Sequence, residues 1–179
     1  MILIEKIEKH FDVILKAIDD RVLEVEKYLL ENKEPIDTFE KNWEKAPGVY
    51  AIFVEPNHKK KLSSFPKLWD DFNMEKYSKT VSSRFQKSIH EQKEIYTFYL
   101  GKSEKVVTRL NEHFNHTATS TTYGLKLAER DDIKKDYEFY YAYYELEKDD
   151  SRAKAINQFI ITRLESKLRE RMNPWVGKQ

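Results

Sequence analysis

The stretch YLGKSEKVVTRLNEHF, residues 99–114, is where the chain passes from a strand into a helix. An aromatic, β-branched run followed by apolar side chains at helical spacing predicts a strand over 94–101 and a helix over 104–114. The apolar face of that helix is formed by Val106, Val107, Leu110 and Phe114. Arg109 and His113 are four residues apart on this helix, so they point the same way. They mark either a functional site or a solvated face.

Outward from this stretch, the remaining segments alternate between helical and strand patterns. Apolar residues at spacings of three and four predict one long amphipathic helix over 2–32. β-branched and aromatic runs predict two further strands, over 48–54 and 137–145. The prolines within 55–74 predict an irregular loop. Further helices are expected at 75–91, from Leu125 onward and at 151–172.

This order of elements predicts a small α/β or α+β domain. We expect a mainly three-stranded sheet flanked by helices, together with the long N-terminal helix. The 179 residues are enough for a sizeable buried core. We expect residues 1–46 to be an N-terminal helical extension, and residues 47–179 to be the main domain with an insertion at 55–93.

The composition limits the classes of function. Lys and Arg total 32 against 31 Asp and Glu, so contact with a nucleic acid would need a local basic patch. The absence of cysteine excludes disulfides and thiolate metal sites. The charged start MILIEKIEKH is unlike a signal peptide, and no apolar run reaches the length of a membrane span. The expectation is therefore a cytoplasmic protein with no membrane partner.

Two tripeptides and the residues spaced after them resemble the GIY-YIG nuclease family. GVY at 48–50 and YLG at 99–101 match its two strand motifs. In that family a Lys often follows the second motif, an Arg stands ten residues after its Tyr, and a His or Tyr stands four residues further. A Glu on a late helix binds the metal, often with Leu three residues on. The matching residues here are Lys102, Arg109, His113 and Glu165, the last within ESKL.

The resemblance implies a GIY-YIG-like fold and a metal-dependent endonuclease that hydrolyses DNA phosphodiester bonds, of a restriction, defence or phage type. Glu165 would bind Mg²⁺ or Mn²⁺, and a single carboxylate suffices for a hard cation that keeps most of its waters. The implied site residues are Tyr50, Tyr99, Lys102, Arg109, His113 and Glu165.

Hydrolysis of a phosphodiester requires a nucleophilic water, a base, and positive charge on the phosphoryl oxygens. On this interpretation Tyr50 activates the water, although a tyrosine has an ordinary pKa of roughly 10. Lys102, Arg109 and the metal would favour the phenolate. Tyr99 would orient phosphate or water, and Arg109 would bind the scissile phosphate. His113 would position a tyrosine or shuttle a proton.

The chain departs from the family pattern at two places. Between Tyr50 and Tyr99 lie 48 residues, where the family usually has a short hairpin. Such an insertion is tolerable because the entropic cost of closing a loop grows slowly with its length. The family usually has an Asn about a dozen residues after the Glu. Gly177 stands there in this chain, and the nearest Asn is Asn173.

Each candidate also has a structural explanation. A strand tyrosine usually packs with its hydroxyl at the rim, and Arg109 and His113 on a short helix would ordinarily face solvent. Glu165 lies on the shoulder of an apolar stripe, where a salt bridge would satisfy it as well as a cation would. The alternative function is therefore a non-catalytic nucleic-acid-binding or assembly module on the same scaffold.

DNA is the expected partner, and a homodimer through the N-terminal helix is a further expectation because that helix has 3-4 apolar spacing. HKKK at 58–61 would either contact the DNA backbone or form a solvated loop. NHTATSTTYG at 115–124 would either clamp phosphates through its hydroxyls or form an ordinary polar loop, and His116 within it would be a second catalytic group or have no role.

Overall fold

The structure is a computed structural model that describes residues 2–40, 46–57, 65–76, 95–147 and 153–177. Its α-helices are α1 (Ile2–Glu31), α2 (Phe65–Lys76), α3 (Val106–Asn115), α4 (Asp131–Lys134) and α5 (Lys154–Met172). Its strands are β1 (Glu34–Pro35), β2 (Gly48–Pro56), β3 (Tyr96–Ser103) and β4 (Tyr137–Glu145). Short 3₁₀ helices cover Ile36–Thr38 and Leu127–Glu129. The predicted long N-terminal helix and the α+β class are confirmed.

The four strands form one antiparallel sheet in the order β1-β4-β2-β3. The three strands predicted from the sequence therefore share one sheet, as expected, and α3 and α5 pack against it. The prediction missed β1. Glu34 of β1 pairs with Tyr141 of β4 and accepts a hydrogen bond of 2.7 Å from its hydroxyl. A strand of two residues is too short to carry a periodic pattern.

The side chains of β2 alternate between two hydrophobic cores on opposite faces of the sheet. The even-numbered residues from Tyr50 to Val54 belong to the first core, which α2 and α3 cover. The odd-numbered residues from Val49 to Phe53 belong to the second core, which α1 and α5 cover. GVYAIFV lacks polar alternation because both faces of β2 are covered. The result is three layers, with the sheet in the middle.

The two halves of α1 have different surroundings. The C-terminal half packs into the second core through Val22, Val25 and Leu29. Arg163 of α5 donates two hydrogen bonds, of 2.8 and 2.6 Å, to the carboxylate of Asp19. The N-terminal half carries an apolar seam that stays 45–62% exposed, formed by Ile4, Ile7, Phe11 and Ile14. We call these four residues the N-terminal seam. The helix therefore covers the sheet with only part of its length.

Residues 65–74, predicted as part of an irregular loop, belong to α2 instead. Pro66 is the second residue of this helix, where the missing N–H removes no intrahelical hydrogen bond, so it does not break the helix. Phe65 and Trp69 are completely buried in the first core and anchor the helix to the sheet. Tertiary burial therefore decides the structure of a segment whose prolines indicated a loop.

Three further expectations concern the rest of the chain. The short helical segment predicted from Leu125 is present as the second 3₁₀ helix and α4. Beyond Lys76, the helix predicted over 75–91 lies outside the described residues, and so does HKKK at 58–61. Within the described part of the chain, no helix is both long enough and apolar enough to cross a membrane.

Candidate active site

Tyr50 of β2 and Tyr99 of β3 stack on the face of the sheet that α3 covers. Their ring centroids are 5.9 Å apart and their planes differ by 28°. Gly101 stands opposite Tyr50 in the strand register. A Cβ at Gly101 would lie 2.5 Å from Oη of Tyr50 and 2.9 Å from Cε1 of Tyr99. The glycine of YLG is therefore required because both rings occupy the space of its absent side chain.

His113 of α3 is completely buried against the two tyrosines. Its Nε2 lies 2.9 Å from Oη of Tyr50, and its ring centroid is 4.8 Å from that of Tyr99. The other ring nitrogen, Nδ1, accepts a hydrogen bond of 3.2 Å from the backbone N–H of Leu125. The alternative that His113 lies on a solvated face is wrong.

The Leu125 contact determines the tautomer of neutral His113. Because Nδ1 is an acceptor, the ring proton lies on Nε2, and Nε2–H donates to Oη of Tyr50. Burial holds the pKa of His113 well below its ordinary value, and Arg109 and His116 lower it further. The ring is therefore neutral near pH 7. Oη of Tyr50 is the acceptor in this pair, which leaves the hydroxyl proton of Tyr50 for another partner.

Gly124 and Lys126 shape the turn that brings Leu125 to His113. A Cβ at Gly124 would lie 3.1 Å from the backbone oxygen of Glu112, so the turn passes close beneath α3. Lys126 has a left-handed backbone with φ of 54°, and its Nζ donates to two loop carbonyls at 3.0 and 3.3 Å. No sequence pattern indicated this role for Leu125, because the contact spans an irregular loop with no periodicity.

Arg109 lies one helical turn before His113 and is partly buried beside the tyrosines. Its Nη1 donates to Oε2 of Glu112 at 2.5 Å. Burial lowers the pKa of Arg109, but Tyr50, Glu112 and Tyr99 outweigh it and the pKa is raised. The structure therefore brings four of the predicted site residues together from β2, β3 and α3. We call Tyr50, Tyr99, Arg109 and His113 the site cluster.

The surroundings of Tyr50 favour the neutral phenol. Burial raises the pKa of Tyr50 well above its ordinary value, Tyr99 adds to this, and Arg109 opposes it. Arg109 acts on Tyr50 in the expected direction, toward the phenolate, but burial outweighs it in the protein alone. Lys102 stands opposite Val49, which faces the second core, and directly opposed residues share a face of the sheet. Lys102 is therefore on the other side of the sheet from Tyr50, which contradicts its expected direct effect on that phenol.

Glu165 of α5 is held by Arg169 beside β3, the edge strand of the sheet. Nε and Nη2 of Arg169 donate to Oε1 of Glu165 at 3.2 and 3.0 Å. Nη2 also donates to the backbone carbonyl of Leu100 on β3 at 2.6 Å. The two charged side chains are only 16% and 15% exposed. The salt bridge foreseen as the alternative for Glu165 is present. Arg169 was not among the predicted site residues, although its i, i+4 spacing from Glu165 favours an ion pair on one helix face.

The donor chemistry of Glu165 fits a magnesium site with a single carboxylate. Both contacts from Arg169 reach Oε1, and within the described part of the chain no hydrogen bond reaches Oε2. A hard cation that keeps several waters needs one such oxygen. Among the described residues there is no group of three or more side chains able to hold a metal. A cation at Glu165 would therefore take its other ligands from water and substrate.

The C-terminal tail connects this ion pair to Tyr99. The tail runs along β3 and donates two backbone hydrogen bonds to it, of 3.2 and 2.9 Å. Gly177 has a φ of 117°, and a Cβ there would lie 3.3 Å from Cε2 of Tyr99 and 3.4 Å from Nη1 of Arg169. A side chain at Gly177, where the GIY-YIG family usually has Asn, would therefore contact Tyr99 and Arg169 closely. Asn173 ends α5 in a left-handed conformation, which is a structural role.

No family model, curated protein or solved structure matches this chain. The clues to its chemistry are the groups that the fold brings together. These are a phenol held by a neutral imidazole, a guanidinium beside it, and a carboxylate at the neighbouring edge of the sheet.

Proposed function

We propose that the protein is a metal-dependent endonuclease of the GIY-YIG type that hydrolyses DNA phosphodiester bonds in a restriction, defence or phage context. The observation that carries the proposal is the site cluster. Packing between a sheet and a helix needs only apolar side chains, whereas a buried imidazole and a largely desolvated guanidinium are costly to place there. Titratable groups whose pKa values are strongly shifted tend to cluster at functional sites.

His113 and Tyr50 act as one unit in the proposed reaction. His113 donates Nε2–H to the Tyr50 oxygen, which holds the phenol and directs its hydroxyl proton to a third group. A neutral phenol orients a water molecule, whereas a phenolate removes a proton from it. Since burial raises the pKa of Tyr50, the phenolate requires further positive charge at the site. Arg109 already acts in that direction.

Arg109 supplies the planar fork for a phosphate of the DNA. In the protein alone this guanidinium is paired with Glu112, so DNA binding would exchange one anionic partner for another. Tyr99, stacked on Tyr50 and close to His113, is placed to orient the same phosphate or the attacking water. The three elements that carry these side chains would thus be organised around one phosphodiester.

Glu165 would hold the Mg²⁺ or Mn²⁺ ion through its carboxylate. When bound, the cation would supply positive charge to the phosphoryl oxygens. The role of this chain's own residues is to hold Glu165 beside β3 through Oε1, which leaves Oε2 for the cation. Glu165 is a proposed metal ligand and the members of the site cluster are proposed substrate-contacting residues.

A non-catalytic nucleic-acid-binding or assembly module is the second candidate function. The observation that favours it is the neutralisation of both site charges by neighbours. Arg109 is paired with Glu112, and Glu165 is paired with Arg169. Charges satisfied in this way would suit a scaffold that performs no chemistry.

Incubation of supercoiled plasmid with the protein and Mg²⁺ or Mn²⁺ separates the two functions. We expect the parent to nick or linearise the plasmid, and Tyr50→Phe and Glu165→Gln to lose cleavage while their circular dichroism spectra remain parental. Glu170→Gln is the matched control, because Glu170 lies on the same helix but is exposed and paired with Lys167. A parent that binds DNA without cutting it would favour the binding module, whereas parental cleavage by Tyr50→Phe would remove Tyr50 from the proposed chemistry.

A further inference from the structure

Arg169 bonds both to Glu165 and to the backbone of β3. Its Nε and Nη2 donate to Oε1 of Glu165, and its Nη2 also donates to the carbonyl of Leu100. It therefore cannot leave the carboxylate without losing its contact with β3. Arg171, two residues further along α5, is 47% exposed and pairs with Glu26 of α1. Of these two arginines, Arg169 is the one that bonds to the sheet and to the proposed metal ligand.

Two electrostatic interactions of opposite sign act on a cation that approaches Oε2 of Glu165. The carboxylate attracts it and the neighbouring guanidinium repels it, and both effects double for a divalent ion. Solvent and salt screen charges that are mostly buried much less than exposed ones, and this pair is 15% and 16% exposed. Glu165 with its counter-ion is thus a weak ligand for a free divalent cation. The phosphates of a bound DNA would add negative charge at the same place.

We infer that Arg169 occupies Glu165 in the DNA-free protein and lowers its affinity for a divalent cation, so that the cation and DNA bind together. This inference rests on the proposed function. By linkage, the cation and DNA then raise each other's affinity by the same factor. The opposite role, in which Arg169 improves cation binding by orienting Glu165, predicts a change of opposite sign when the guanidinium is removed. A mostly buried carboxylate without its counter-charge binds a cation more strongly.

The test measures Mn²⁺ binding without DNA, by the electron paramagnetic resonance signal of free Mn²⁺ during titration with protein. If Arg169 orients Glu165 for the metal instead, its removal should weaken Mn²⁺ binding, typically by about 10- to 100-fold. We expect Arg169→Gln and Arg169→Met to bind Mn²⁺ about tenfold or more tightly than the parent, because they remove a unit positive charge that repels the divalent ion. Arg171→Gln should bind Mn²⁺ as the parent does. Combining Glu165→Gln with Arg169→Gln should abolish the gain.

The inference is overturned if the folded Arg169 variants bind Mn²⁺ no more tightly than the parent. Arg169→Met keeps the aliphatic stem, so it provides the measurement if Arg169→Gln does not fold. A parent that cuts plasmid alongside such unchanged variants would refute the inference alone. A parent that does not cut, together with no Glu165-dependent Mn²⁺ binding in any variant, would refute the proposed function as well.

Discussion

The backbone N–H of Leu125 donates to Nδ1 of His113 over 3.2 Å, and this contact limits what His113 can do at the site. An imidazole that accepts at Nδ1 and donates at Nε2 has no free position for the proton of Tyr50. Taking up a second proton would cost the Leu125 contact and create a buried charge. Of the two roles expected for His113, the geometry favours positioning Tyr50 over shuttling a proton.

The buried His113 makes stability depend on pH. In the unfolded chain its pKa is about 6.5, whereas in the folded protein burial and Arg109 hold the pKa of His113 well below that value. As pH falls below about 6.5, the unfolded state binds a proton that the folded state does not, so the free energy of unfolding decreases. The slope reaches at most about 1.4 kcal/mol per pH unit. Chemical denaturation between pH 7.5 and 5 should show this loss, and His113→Gln should reduce it.

His10→Gln is the control for this pH dependence, because His10 is exposed on α1. Its denaturation curves should keep the parental dependence on pH. Identical slopes for His113→Gln and the parent would mean that another group titrates in this range.

Gly101→Ala should disturb the site more than its single methyl group suggests. The new Cβ would meet Oη and Cζ of Tyr50 at 2.5 and 2.6 Å, and the buried ring of Tyr50 has no free space to move into. Overpacking of this kind costs about 1–3 kcal/mol, and here it would also separate Tyr50 from His113. We expect both a lower free energy of unfolding in urea and loss of plasmid cleavage. Gly124→Ala, whose Cβ would approach the Glu112 oxygen to 3.1 Å, should have a smaller effect on stability.

Local patterns predicted the parts of the fold that local physics determines. The run around Tyr50 indicated a strand because its β-branched and aromatic residues suit a sheet covered on both faces. The i, i+4 spacing correctly predicted that Arg109 and His113 point in the same direction. No sequence pattern indicated how deeply each ionisable side chain is buried or which groups surround it. Tyr50 was expected among cations that lower its pKa, yet complete burial raises it.

The predictions that were wrong or incomplete concern contacts between residues far apart in the sequence. The side of the sheet on which Lys102 lies follows from its register with Val49, and register is not visible in one strand alone. Arg169 stands at a readable distance from Glu165 along the helix, but its hydrogen bond to Leu100 arises only when α5 packs on β3. Long-range packing therefore decided which predicted site residues meet.

The expected homodimer can now be tested without disrupting the core. Removing all of α1 would also remove the buried Val25 and Leu29, whereas the N-terminal seam is exposed. A restriction-type enzyme that cuts both strands of a palindrome usually has two sites related by a two-fold axis, and the seam has the spacing for helix pairing. We predict that light scattering gives about twice the chain mass of 21.5 kDa, and that Ile7→Glu reduces it to one chain. Val13→Glu, exposed on the opposite face of the helix, should leave the mass unchanged.

Arg109→Lys tests whether the guanidinium fork, and not only its charge, serves the reaction. Lysine keeps the positive charge, so DNA binding should change little, but it lacks the planar pair of donors that matches a phosphate. Loss of one transition-state donor typically reduces the rate by on the order of a hundredfold or more. We therefore expect single-turnover cleavage to fall by about that factor while the affinity for DNA stays near the parental value. Glu112→Gln is the matched control: it releases Arg109 from its ion pair, so it should keep cleavage. If Arg109→Lys cuts at the parental rate, Arg109 contributes charge alone and the proposed phosphate fork is wrong.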